Sequence, residues 1–139
     1  MSHTIPTLAL THSGVMQMLS AAITKAEDMG QPQCIVIVDA SGELLGEIRM
    51  NGAKFLARKS ATAKARTAAS IRAASNNIPE EFHIKIGFAS DSHITSLPGG
   101  LPIMLDGHCV GGIGVGSGTG DQDVEVAQAA LAAIGAQRV

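Results

Sequence analysis

Between Thr11 and Met29, the apolar residues Val15, Met18, Leu19, Ala22, Ile23 and Ala26 recur at helical spacing and form one face. Thr11 or Ser13 can cap the start of this helix, and Gly30 followed by Pro32 stops it. The period then changes. Cys34–Val38 is an unbroken apolar run rich in β-branched residues, Asp39 to Gly42 reads as a turn, and Glu43–Met50 reads as a second strand. These two segments predict a hairpin, with the Asp39 side chain serving the turn. Lys54 to Ser75 is Ala-rich and predicts a long helix, with a break expected near Ser60. Pro79 suits the first position of a short helix that has Glu80 and Glu81 in its first turn. Ile84–Ser90 has no decisive period, and Ile94–Leu97 is expected to be a short strand. The last helix is predicted over Asp121–Gln137, opened by a capping box of Thr119 and Gln122. Its expected buried stripe is Val124, Ala127, Leu131 and Ile134.

The most distinctive stretch is PGGLPIMLDGHCVGGIGVGSGTGD, from Pro98 to Asp121, which holds nine of the sixteen glycines. Asp106-Gly107 between two apolar runs signals a tight hairpin joining Leu101–Leu105 to His108–Val115. Gly111, Gly112, Gly114 and Gly116 leave one face of the second strand nearly bare, so a helix, a neighbouring subunit or a ligand must approach that backbone closely. A phosphate loop is excluded by spacing: no register from Gly111 to Gly120 gives GxGxxG, and no Walker lysine follows. Asp121, Asp123 and Glu125 would also repel a phosphate from the helix start. Hairpins imply an antiparallel sheet whose faces the helices cover. The expected class is α+β, one domain over residues 1–139, with a single antiparallel sheet of about five strands and helices packed on its faces.

Composition narrows the partners. The chain is 45 % hydrophobic with a formal charge of −2, so it folds and has no global attraction to nucleic acid or anionic membrane. It lacks Trp and Tyr and has three Phe, which argues against stacking of bases on aromatic platforms. No apolar run reaches the ~18 residues of a membrane span, and the first residues do not read as a signal peptide, so a cytoplasmic protein is expected. Cys34 and Cys109 both fall in predicted buried strands and are read as free thiols.

The charge is unevenly placed. Arg49, Lys54, Arg58, Lys59, Lys64, Arg66 and Arg72 lie between Ile48 and Pro79 with no acid among them. Such a run is either a solvated helix face or a surface for carboxylates and phosphates. In an enzyme reading, a pocket between the basic helix and the glycine hairpin holds a small organic acid, as in a cofactor-free lyase, isomerase or tautomerase. Arg49 and Lys64 would grip carboxylates, His93 or Asp121 would act as acid or base, and Gly99, Gly100 and Gly118 amides would stabilise an oxyanion. A third reading is an accessory oligomer subunit in which the bare glycine strand and Ala-rich helices serve packing.

The segment GGLPIMLDGHCVGGIGVGSGTGDQDVEVAQAAL resembles the signature of the GlcG/HbpS-like family, which takes in haem-degrading proteins and the C-terminal domain of PduO-type cobalamin adenosyltransferases. IVIVDASGELLGEIRMNGA resembles that family's VVDxxGxLxxxxRMDGA segment, and KARTAA its KAxTA helix. The three motifs occur in order, and the resemblance covers the chain from Leu8 to Ala133. Two departures stand out: Val115-Gly116-Ser117-Gly118 where the family usually has Val-Ser-Gly-Gly, and Asn51 in place of an Asp. The resemblance implies a profilin-like three-layer fold and a homo-oligomer, commonly an octamer. It also implies a small anionic ligand with haem the leading candidate, and a place in small-molecule catabolism. A haem ligand would come from a histidine or from Met16, Met18 or Met50, since there is no Tyr. His12 is the first candidate, and Ser117 and Gly118, with Gly99 and Gly100, would border the pocket or a subunit contact.

Overall fold

The computed structural model describes residues 1–139. Helix α1 spans His12–Asp28, and its Thr11 side chain accepts the Gly14 amide at 3.0 Å, settling the cap in favour of Thr11. Strands β1 (Cys34–Asp39) and β2 (Leu44–Arg49) form the expected hairpin. Asp39 accepts the Ser41 and Glu43 amides at 2.8 and 3.0 Å, which ties the turn through a short side chain. Strands β3 (Gly100–Leu105) and β4 (His108–Gly116) form the second hairpin. Asp106 and Gly107 have φ of 49° and 78°, the double positive φ that a type I′ turn needs.

The sheet is antiparallel throughout, in the order β2-β1-β4-β3. It has four strands rather than five. Ile94–Leu97 stays irregular because side chains of the basic helix and of the loop that follows it take its backbone groups: the Thr95 amide donates to Thr67 Oγ1 at 2.9 Å, and Ser75 Oγ donates to the Leu97 carbonyl at 2.6 Å. Pro98 then blocks a regular strand from continuing.

β1 divides the core by its alternation of side chains. Ile35 and Ile37 point to one face, where they meet α1 and α4 (Gly120–Ala133) together with Leu101, Ile103, Ile113 and Val115. Cys34, Val36 and Val38 point to the other, against Ala57, Ala61, Ala65 and Ala69 of helix α2 (Leu56–Ile71). Both faces are covered, which is why CIVIV is apolar without a break.

α2 is what approaches the bare face of β4. A Cβ on Gly112 would run into the Ala65 carbonyl, and one on Gly114 into the Ala61 carbonyl; at Gly116 it would meet the Ala57 carbonyl at 3.2 Å. Alanines four residues apart lie over alternate glycines, so helix and strand backbones touch. The helix runs through Ser60 unbroken and ends at Ile71, where Arg72 turns left-handed at φ 56°. Glu80–Phe82 make a 3-10 turn, followed by the short helix α3 (His83–Ala89), no residue of which is buried. α4 carries the expected capping box but ends at Ala133. Its buried residues are Asp123, Val126, Ala127, Ala130 and Leu131, so the stripe is rotated from the expected one and takes an acid inward.

Candidate functional site

A groove of about 750 Å³ lies over the outer side of α2, walled by α3, the Ile94–Leu97 segment and the Ser117–Gly118 turn. Leu56, Ile84, Phe88, Ile94 and Leu97 supply apolar surface, and Lys54, Lys59 and Lys64 supply cations. Phe88 is 84 % exposed and Ile84 75 %, so α3 offers its large apolar side chains to whatever fills the groove or covers its mouth.

The floor is built on Lys64. Because α2 sits directly on the β4 glycines, the Lys64 side chain is trapped against the end of β4 and is only 7 % exposed. Its Nζ donates to the Val115 carbonyl at 2.8 Å and to Asp123 Oδ2 at 3.1 Å. Asp123 Oδ1 accepts from Gln33 Nε2 at 3.0 Å and from the Gly118 amide at 3.1 Å. The Gly118 amide also reaches Gln33 Oε1 at 3.0 Å. Gln33, Lys64 and Asp123 are buried, and none of their polar atoms is left without a partner. A side chain on Gly99 would come within 3.1 Å of Lys64 Nζ and 2.9 Å of Asp123 Cβ. One on Gly118 would crowd Gln33 and Asp123 at 2.9 and 3.0 Å. Both glycines exist to let this ion pair close.

Lys64, Ser117 and Gly118 thus line one groove. Other expected residues do not join them. Arg49 is exposed and lines a different cleft with Glu27 and Met50, because it ends the edge strand β2 on the far side of the sheet order. His93 is exposed beside a neighbouring depression with Arg58 and Arg66; its Nδ1 donates to the Ser90 carbonyl at 2.8 Å. Asp121 is exposed on the first turn of α4, and Asp123, two residues on, is the acid that faces the floor. The four therefore form no joint acid–base site. Lys64 is not a free grip for carboxylates either, since Asp123 already answers its charge.

The oxyanion role fails for two glycines on hydrogen bonding alone. The Gly100 amide donates to Ser75 Oγ at 2.9 Å, and the Gly118 amide is taken by Gln33 and Asp123. Gly99 is buried beneath Val115, Lys64 and Asp123. His12 is exposed at the first position of α1 and does not line the groove. Met18 is sealed in the core, Met16 is exposed on α1, and Met50 lines the Arg49 cleft.

The residue that sequence reasoning passed over is His83. It is half-buried, lines the groove, and its Nε2 lies 2.7 Å from the Ile78 carbonyl. A carbonyl only accepts, so Nε2 carries the proton and Nδ1 of the neutral ring keeps its lone pair. No three His, Cys, Asp or Glu side chains converge as a bare-metal site would require.

The description "Haem degrading protein HbpS-like" matches residues 10–132. The corrinoid adenosyltransferase PduO of Citrobacter freundii is 28 % identical over 93 % of the chain, which spans about 40 % of that relative's length. Protein GlcG of Escherichia coli K12 is 35 % identical over 71 % of the chain and 78 % of its own. The crystal structure of a PduOC–haem complex superposes with a TM-score of 0.87 at 27 % identity, covering 94 % of this chain and 98 % of that one.

Proposed function

The chain belongs to the HbpS-like family, and on that footing we propose that the groove over α2 binds haem or a similar apolar molecule bearing carboxylates. The observation that carries the reading is the groove's charge. Of its three lysines, only Lys64 has an acid partner; Lys54 and Lys59 stand at an apolar cavity with no acid lining it except the already paired Asp123. Cations beside apolar walls suit an anion with a flat hydrocarbon body.

The lining residues fit haem on three counts. The volume is that of a site for a drug-sized ligand, ~300–1,000 Å³. Ile84, Phe88, Leu56 and Leu97 present exposed apolar faces. His83 offers an imidazole whose hydrogen bond to Ile78 fixes the ring and leaves Nδ1 as the donor atom. Lys54 and Lys59 would take the propionates, and His83 would hold the iron in preference to His12, which lies outside the groove. Haem, when bound, supplies an iron centre for redox or oxygen chemistry. The haem-complex structure of the PduOC relative supports this choice of ligand.

Self-association is part of the same reading. α3 buries none of its own residues, and all three Phe of the chain are exposed, at Phe55, Phe82 and Phe88. A homo-oligomer, with the octamer as its expected form, would cover them.

Hemin added to the purified protein tests the reading. A sharp Soret band at one hemin per chain, lost in His83→Ala and retained in His12→Ala, supports it. Loss in His12→Ala alone would move the iron-holding residue to α1 and away from the groove. No shifted band in the unaltered protein removes haem as the ligand.

A further inference from the structure

Lys64 has three N–H donors, and the protein uses two of them, at the Val115 carbonyl and at Asp123 Oδ2. No third protein acceptor lies within hydrogen-bonding distance of Nζ, and Lys64 lines the groove. Ser117 lines it too. Its Oγ accepts the Lys54 amide at 3.4 Å, which leaves the hydroxyl proton free to donate. Ser117 is held at φ 120°, a backbone conformation that a residue with a side chain avoids. Strain of this kind is retained where surrounding structure enforces it, often at ligand sites.

We propose that Lys64 Nζ–H and the Ser117 hydroxyl form a second recognition point at the floor of the groove, which takes one uncharged acceptor oxygen, a carbonyl or a hydroxyl, of the ligand. The inference rests on the groove being a ligand site. The acceptor is uncharged because the Lys64 charge is already matched by Asp123 at 3.1 Å. A carboxylate placed there would face that of Asp123 with no cation to spare. Ligand carboxylates belong instead at Lys54 and Lys59. The ligand that uses this point is therefore an amphipathic acid: a carboxylate at one end, an apolar middle, and a neutral carbonyl or hydroxyl at the other; haem, whose only oxygens are those of its propionates, would fill the groove without using it.

Two near-isosteric probes test this by calorimetric titration: 4-acetylbenzoate, which has the distal carbonyl, and 4-isopropylbenzoate, which does not. The acetyl compound is expected to bind about tenfold tighter, the worth of one hydrogen bond from a charged donor. Ser117→Ala and the charge-neutral pair Lys64→Met with Asp123→Leu should each shrink that ratio towards one. Lys54→Ala should weaken both probes alike. Equal affinity in the unaltered protein, or a ratio that survives both changes, overturns the floor site. If hemin binds and neither benzoate does, the floor site falls and the haem reading stands. If the preference is found without hemin binding, the floor site stands and haem falls.

Discussion

Lys64 Nζ on α2 lies 3.1 Å from Asp123 Oδ2 on α4, an ion pair that joins residues 59 positions apart across the end of β4. Breaking such a buried pair from one side costs more than removing it whole, because the remaining charge stays in the interior. Asp123→Ala is expected to destabilise the fold by about 3–5 kcal/mol. The double change Lys64→Met with Asp123→Leu should recover the part of that loss that comes from the unpaired Lys64 charge, and not the hydrogen bond that Gln33 gives to Asp123. Urea unfolding of both variants decides it; equal losses would show that the charge on Lys64 escapes to water.

The contact of β4 with α2 makes a separate prediction. Gly114→Ala would press a methyl into the Ala61 carbonyl. Backbone cannot yield as a side-chain end can, so the cost should reach or pass the ~1–3 kcal/mol usual for overpacking. Gly87→Ala is the contrast. Nothing lies within 4 Å of a Cβ there and the residue is helical, so the change should be neutral or stabilising by up to about 1 kcal/mol. Thermal melts of the two variants give the comparison.

The two thiols should behave differently. Burial pushes the Cys34 thiol above its ordinary pKa, Glu47 adds to the rise, and Arg49 and Arg58 oppose it. Cys34 is fully buried, whereas Cys109 is half-buried and bonds the Ala69 and Gly111 carbonyls. Iodoacetamide should label Cys109 first, and Cys34 mainly through unfolding. Above the ordinary thiol pKa of about 8.5, the unfolded chain loses the Cys34 proton while the folded chain keeps it. Stability from this group is therefore full below that pH and lost as pH rises through the folded pKa. Cys34→Ala should flatten the alkaline fall in stability.

Much of this was legible in the sequence. Asp106-Gly107, Asp39 and the Thr119–Gln122 box each act locally, so their roles follow from neighbours in the chain. The bare glycine face was visible as well, but not that α2 would be the element to fill it, since that depends on long-range packing. Ile94–Leu97 misled because its apolar ends suggest a strand while Thr67 and Ser75, far earlier in sequence, capture its backbone. Choosing Asp121 over Asp123 came from helix phase: a rotation of two residues decides which acid faces Lys64. His83 was hidden because its segment had no clear period, and its value lies in a hydrogen bond to Ile78 that only the folded turn creates.

We propose that the α2 groove holds a carboxylate-bearing apolar ligand through Lys54 and Lys59, which have no acid partner. The most direct measurement is hemin affinity of the unaltered protein against Lys54→Glu with Lys59→Glu, followed by absorbance at low ionic strength. Reversing both charges should weaken binding at least about tenfold, since each cation–carboxylate contact is a charge-assisted hydrogen bond. Unchanged affinity in the reversed variant would place the ligand outside this groove and contradict the account.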